Sequence, residues 1–159
     1  MNSIEEIQIR EATLDNLDEI LSLSRLLFIH HSFFDTTLNQ GWTDSVDGIE
    51  YFRRRINSGV AFIALNTNQE VVGYLTGAIL PKLKSRTLDS LAELQNMYVI
   101  DSYRNRGVGS ALVLRFLDWC NKGGTENIKV VVWSRNTNAI EFYRHLGFED
   151  YLSVLEYRQ

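Results

Sequence analysis

The hydrophobic positions of this chain switch repeatedly between a period near two and a period near 3.6. Residues 7–10 alternate as a short strand does, and Thr13 stands where a helix N-cap belongs. Beyond it Leu17, Ile20, Leu21, Ser24, Leu27 and Phe28 keep helical spacing, which predicts a helix with one buried face. A more polar helix is predicted over 45–57. Residues 60–66 and 70–79 read as two strands, and Thr67-Asn68-Gln69 between them suggests a hairpin. A further strand covers 91–100, and an amphipathic helix over 107–121 ends at Lys122 and the Gly123-Gly124 pair. Residues 128–133 are β-rich and nearly all apolar, as expected of a strand covered on both faces. A helix over 139–146 closes at Gly147, and 151–157 reads as a last strand. The chain has no repeat, low-complexity tract or linker, and Pro81 is its only proline. This alternation predicts one α/β domain over 1–159 with a mixed sheet.

Composition narrows the class. With 159 residues, 45% hydrophobic and 23% charged, the chain is long enough for a real core and reads as an ordinary soluble protein. A net charge of −4 argues against a nucleic-acid partner, which usually meets a basic face. The single cysteine, Cys120, excludes an internal disulfide and fits a reducing compartment; its place on an apolar helix face suits a buried structural thiol. The start Met1-Asn2-Ser3-Ile4-Glu5-Glu6 lacks the basic and apolar regions of a signal peptide, and no segment is long enough to span a bilayer. The expected location is the cytoplasm, without a membrane partner.

The candidate chemistry begins at Tyr103-Arg104-Asn105-Arg106-Gly107-Val108-Gly109-Ser110, between an apolar run and an amphipathic helix. The first amides of a helix lack intrahelical acceptors and sit at the positive end of its dipole, so they bind anions. Gly107 and Gly109 keep Cβ atoms away from such a ligand, and Arg104 and Arg106 add positive charge. Taken alone, Arg-x-x-Gly-x-Gly also fits a surface turn. A dinucleotide fold fits poorly, because six mostly polar residues follow the strand and Leu112 stands where a third glycine would be. A nucleotide P-loop fails for want of Gly-Lys-Ser/Thr. Twenty-seven residues beyond Gly109 comes Asn136, opening a segment that runs through Tyr143 to Gly147-Phe148.

Strand, Arg-x-x-Gly-x-Gly, helix, strand, Asn, helix and Tyr-x-x-x-Gly-Phe together resemble the GNAT superfamily of acetyl-CoA-dependent N-acetyltransferases. The resemblance is strong from about Glu93 to Phe148 and topological before that. It implies a mixed, mostly antiparallel sheet of six to seven strands, splayed between the fourth and fifth and flanked by about four helices. It implies further that residues 104–110 (Arg104, Asn105, Arg106, Gly107, Val108, Gly109 and Ser110) hold the acetyl-CoA pyrophosphate. Met97, Tyr98 and Val99 would pair their backbone with the pantetheine arm, as a strand edge takes a peptide. Asn136 would contact the arm, and Tyr143 would sit near the thioester sulfur. Read without the resemblance, Tyr143 fits a core position with Ala139, Phe142 and Leu146, and Asn136 fits a turn or cap. The resemblance leaves open a homodimer and requires no metal; adjacent His30 and His31 point apart and have no partner at ligand spacing.

Acetyl transfer to an amine needs a base, an oxyanion donor and an acid. An amine of pKa near 10.4 is mostly protonated at pH 7, which costs about 4–5 kcal/mol in reactive population. Glu93 is the candidate base, acting directly or through water, on a central strand where an unpaired charge is costly. A bland alternative pairs it with an arginine at the strand end. Gln95 and Asn96 are polar neighbours able to bind substrate or water, and a β-bulge here would change which of them faces the cleft. A strand amide near Met97 to Val99 is the candidate oxyanion donor. Tyr143 is the candidate acid, with a modest effect because a thiolate already leaves well.

The acceptor site is expected between the first two helices, in His30-His31-Ser32-Phe33-Phe34-Asp35 and in Trp42 to Asp47, where Phe33, Phe34 and Asp35 would meet a small-molecule or peptide amine and Asp44 and Asp47 would add charge for a cationic one. The same residues also suit ordinary loop chemistry. Relatives that modify a ribosomal protein's N-terminus carry a glutamate in the strand before Asn136; here Ile128-Lys129-Val130-Val131-Val132-Trp133 has no carboxylate, which disfavours that acceptor. The expected activity is acetyl transfer by direct attack in a ternary complex. A non-catalytic acyl-CoA sensor or degenerate enzyme is the alternative.

Overall fold

A computed structural model describes residues 6–157; the N-terminal stretch read above as lacking a signal peptide lies mostly outside them. Five strands form one sheet in chain order: β1 (Gln8–Glu11), β2 (Ala61–Leu65), β3 (Val71–Leu80), β4 (Leu91–Val99) and β5 (Ile128–Val130). The first four are antiparallel neighbours, and β5 joins β4 in parallel. Four helices flank the sheet: α1 (Leu17–His31), α2 (Val46–Asn57), α3 (Val108–Lys122) and α4 (Thr137–His145). Among the described residues, no helix is long and apolar enough to cross a membrane.

Alternation along β2 divides the core. Ile63 faces α1 and α2, where Ile20, Leu27, Phe52 and Tyr74 meet it. Phe62 faces α3 with Leu75, Leu112, Val113 and Phe116. Every residue of β2 is buried, so this strand is the centre of the layered structure. Thr13 caps a short 3-10 turn (Leu14–Asn16) rather than α1 itself, and Asn16 Oδ1 accepts from Thr13 N at 3.1 Å.

Two features of β4 prepare the site. Thr76 pairs with Asn96 and Gly77 with Leu94, so Gln95 is an extra residue and β4 bulges there. Leu94 before the bulge and Met97 beyond it both pack on the α3 side, while Tyr98 turns toward α1 and α2. Pairing with β5 ends at Leu94↔Val130. From Gln95 to Val99, therefore, the β4 edge toward β5 has no strand beside it among the described residues.

Two expectations fail. Residues 151–157 form no strand, so among the described residues the sheet has five strands and not six to seven. Arg144 holds Asp150 through two hydrogen bonds of 3.1 and 2.6 Å, and the Arg86 guanidinium lies 5.1 Å from the Tyr151 ring centre. These contacts carry the chain toward the β3–β4 loop instead of along β5. As a result β5 is a short edge strand, not one covered on both faces. It ends at Val130, and Val131 beyond it is 75% exposed.

Candidate active site

Where β4 and β5 part, a cleft of about 1040 Å³ opens between them and the starts of α3 and α4. The approach to α3 is built for an uncapped helix end. Asn105 and Gly107 both take the left-handed conformation, with φ of 58° and 80°. Glycine adopts that geometry without strain, and Gly107 thereby turns the chain into α3 as its N-cap. The first backbone bond of the helix runs from Ala111 N to Gly107 O at 2.9 Å. The amides of Val108, Gly109 and Ser110 therefore have no helical acceptor. By contrast α2 and α4 are capped by the side chains of Ser45 and Asn136.

Gly109 serves a different purpose. A Cβ there would lie 3.3 Å from Phe142 Cζ and 3.9 Å from Met97 Cε, at the mouth between α3 and α4. Its absence keeps the cleft open. Arg104 braces the loop: its Nε donates to Val99 O at 2.9 Å, Nη1 pairs with Asp101 at 2.9 Å, and its plane covers the Tyr98 ring at 5.0 Å.

The structure brings most of the expected acyl-carrier residues to this cleft. Met97, Tyr98 and Val99 come from β4; Arg104, Asn105, Gly107, Gly109 and Ser110 from the loop and α3; Asn136 and Tyr143 from α4 and its cap. Arg106 lies outside the lining, stacked on Tyr103 at 5.4 Å, and the Val108 side chain is buried in the core. Asn136 also has the capping role open in the sequence, because its Oδ1 accepts from Ala139 N at 3.2 Å.

Tyr143 is both core and cleft. Its ring meets Phe142 and Phe148 edge-on at 5.0 and 5.5 Å, while the residue also lines the cavity. Burial pushes its phenol above the ordinary tyrosine range. The hydroxyl thus stays protonated through neutral and mildly alkaline pH.

The acceptor side departs further from the sequence reading. Phe34 lines the cleft, but Phe33 is 72% exposed and contributes its carbonyl to Arg135 at 3.5 Å. Asp35 folds its own loop, with Oδ1 accepting from Thr37 N and Oγ1 at 2.9 and 2.6 Å. Glu93 is outside the cleft lining. One of its oxygens pairs with Lys129 at 2.7 Å, and the other accepts from Gln95 Nε2 at 3.2 Å. Gln95 Oε1 in turn accepts from Tyr51 and Arg55, both at 2.8 Å, and Tyr51 accepts from Asn96 at 2.8 Å. A continuous polar chain therefore runs from α2 through the bulge to β5. Its signal in the sequence was the i, i+4 pair Tyr51 and Arg55 on a helix otherwise judged merely polar.

Sequence reasoning missed Trp133, whereas His31 belongs to the expected acceptor segment. His31 continues the stripe of Ser24 and Leu27 and reaches the cleft, where Trp133 meets it edge-on at 6.4 Å. Burial, aided by the neighbouring His30, lowers its pKa to about 4. Between pH 6.5 and 4 the unfolded chain thus binds a proton that the folded chain refuses, so stability falls as pH falls through this window. His31→Gln is expected to flatten that part of a melting-temperature profile. Coincident slopes for the two proteins would refute the assignment.

The cleft lies between parting strands and is headed by helix amides without helical acceptors. The acetyltransferase (GNAT) family model matches residues 23–148, and the chain belongs to that family. It is 28% identical over 151 residues to the uncharacterised N-acetyltransferase MJ1207 of Methanocaldococcus jannaschii, covering 94% of this chain and 63% of that protein's length. It is 26% identical over 150 residues to an N-alpha-acetyltransferase of Sulfurisphaera tokodaii, covering 91% of this chain and 81% of the relative. In fold it resembles aminoglycoside N-acetyltransferase AAC(6')-Iy in complex with CoA, with a TM-score of 0.77, 18% identity, and coverage of 100% and 98% of the two chains. It also resembles the aminoglycoside 6'-N-acetyltransferase AAC(6')-Ih of Acinetobacter baumannii, with a TM-score of 0.74, 18% identity, and coverage of 97% and 98%.

Proposed function

We propose that this protein is an acetyl-CoA-dependent N-acetyltransferase that modifies a primary amine by direct attack within a ternary complex. The observation that carries this reading is the junction of two unpaired backbone edges at one cleft: the Val108–Ser110 amides and the β4 segment beyond the bulge. Acetyl-CoA supplies an acyl thioester with a good thiol leaving group. The α3 amides hold the pyrophosphate, with Arg104 bracing the loop beside them. The free edge of Met97 to Val99 aligns the pantetheine arm and offers an amide to the developing oxyanion. Glu93 accepts the amine proton through water along Gln95, since its own oxygens are engaged by Lys129 and Gln95.

Tyr143, a cleft-lining residue whose phenol burial keeps protonated, donates a proton to the departing sulfur. Tyr143→Phe is expected to lower kcat about tenfold, below the usual range because the thiolate leaves readily, with acetyl-CoA affinity unchanged. Full turnover in that variant would remove the acid from the mechanism.

The acceptor subsite is walled by His31, Phe34 and Trp133, and Glu141 is the sole carboxylate among its described lining residues, against Arg104 and Arg135. That balance favours a compact amine or peptide-like amine over a polycation. Thiol release from acetyl-CoA across a panel of amines tests the activity. Acetyl-CoA must also raise the melting temperature. A melting shift without turnover on any amine would favour an acyl-CoA sensor, a reading supported by the engagement of Glu93 with Lys129. No shift would overturn both.

A further inference from the structure

One arginine on α2 stands apart from its neighbours. Arg53 and Arg54 lie exposed and share Glu50 at 3.7 and 3.9 Å. Arg55, one position further on, is half-buried and turns toward the sheet. Its Nε donates to Gln95 Oε1 at 2.8 Å, and its guanidinium lies 4.5 Å from the Tyr51 ring centre. Tyr51 is four residues earlier and so shares its face of the helix. The tyrosine is itself fixed: its ring meets Trp42 and Phe52 edge-on at 5.3 and 5.0 Å, and its hydroxyl also donates to Gln95 Oε1. Arg55 meets no carboxylate among the described residues, and its Nη1 and Nη2 have no acceptor there. A half-buried guanidinium in this state has lost hydration that no protein anion replaces. Held on an aromatic face with its fork free, it has the form in which arginine takes a carboxylate.

We propose that Arg55 binds a carboxylate carried by the acceptor, so that the amine acetylated here belongs to a small aminocarboxylate such as an amino acid. This rests on the acetyltransferase reading above and names the acceptor class. Gln95 connects the two ends of such a molecule. Its Oε1 is occupied by the Tyr51 and Arg55 donors, which turns its Nε2 to Glu93 Oε1 at 3.2 Å. One primary amide therefore separates a cation from a carboxylate, and that amide lines the cleft. A molecule lying across Gln95 with its acid toward Arg55 directs its amine toward Glu93, the proposed proton acceptor. The arrangement complements a zwitterion with amine and acid a few bonds apart. It suits other amines less well. A polycation would approach both Arg55 and Lys129, which holds the second Glu93 oxygen at 2.7 Å. A phosphate, with up to two negative charges, would be repelled more strongly by Glu93 than a carboxylate is.

The test compares α- and ω-amino acids with their own carboxamides, which keep the amine and remove the negative charge. Melting temperatures of the full chain are measured with each compound, with and without CoA. At least one amino acid is expected to raise the melting temperature while its carboxamide does not. Arg55→Gln should abolish that rise, and Arg53→Gln on the exposed face should keep it. In turnover, kcat/KM for the acid should exceed that for the amide by about 20-fold, the effect of one hydrogen-bonded charge. Arg55→Gln should remove this preference by raising KM for the acid. Its kcat should change little, because Tyr51 still holds Gln95 Oε1. An arginine that only supports the bulge would instead lower turnover of acid and amide together, and that result overturns the proposal. Arg55→Lys, which keeps the charge without the fork, should retain part of the preference. If Arg55→Gln does not fold, Arg55→Lys and the comparison of acid with amide on the parent chain decide. The proposal also falls if no amino acid shifts the melting temperature, if carboxamides shift it equally, or if phosphoethanolamine shifts it more. A shift with acetyl-CoA but with no amino acid sinks this inference alone. Absence of the acetyl-CoA shift sinks the acetyltransferase reading, and the amino-acid titration still judges Arg55.

Discussion

Gly77→Ala is expected to destabilise the protein by about 3 kcal/mol, at the upper end of ordinary overpacking. A Cβ at this position would stand 2.5 Å from Phe116 Cε2 and 2.8 Å from the Glu93 carbonyl oxygen. Neither neighbour moves cheaply. Phe116 is fully buried and stacks on Trp119 at 6.3 Å, and the Glu93 carbonyl belongs to a paired strand. Relief therefore requires β3 and β4 to separate next to the Gln95 bulge. That movement would disturb the Glu93–Lys129 pair and the Gln95 contacts with Tyr51 and Arg55. Urea unfolding should show a lower midpoint at unchanged slope, together with a loss of the proposed acetylation. Gly73→Ala is the comparison: its Cβ would meet Tyr98 O and Val99 Cγ2 at 3.1 Å, close enough to cost something but less. If Gly77→Ala is no more destabilising than Gly73→Ala, the close packing at the bulge does not constrain the strand.

The same bulge marks where the sequence stops being readable. The 3.6-residue stripes from Leu17 to Phe28 and from Val108 to Cys120 were legible because each helix buries one face against the sheet. The hairpin of β2 and β3 was legible because both strands carry long β-prone runs. The mixed sheet, the α3 turn and the order of motifs also follow from local patterns. Gln95, however, is displaced by pairing with a strand twenty residues earlier, which no local period encodes. The network joining Tyr51, Arg55 and Gln95 links positions 40 and 44 residues apart and was equally hidden. Residues 151–157 show the opposite failure. Their pattern speaks for a strand, but a strand exists only with a partner edge, and the clamp at Arg144–Asp150 directs them away from the one nearby. Run-length hydrophobicity misled at 128–133 for the same reason: it reports a capacity for burial, not whether a neighbour arrives.

Gly109→Leu is expected to weaken acetyl-CoA binding more than 100-fold, or about 2.7 kcal/mol, while the fold survives. Leucine is a far better helix residue than glycine, by up to about 1 kcal/mol, which offsets the crowding of its Cβ against the movable Phe142 ring at 3.3 Å. The rest of the new side chain has to enter the gap between Met97 and Phe142, where the proposed pantetheine path passes between α3 and the β4 edge. Gly107→Ala provides the contrast. A Cβ there meets nothing within 4 Å, but at φ of 80° it strains the turn, so the expected cost is about 1 kcal/mol of stability. The pair thus separates the two duties of the glycines: conformation at Gly107 and space at Gly109. Calorimetric titration reads the affinity, and the acetyl-CoA-induced rise in melting temperature provides an independent check, since that rise disappears when the ligand no longer binds the folded state. If Gly109→Leu binds acetyl-CoA within threefold of the parent, the ligand does not pass between α3 and β4. The bare amides of Val108, Gly109 and Ser110 would then be an ordinary solvated helix end.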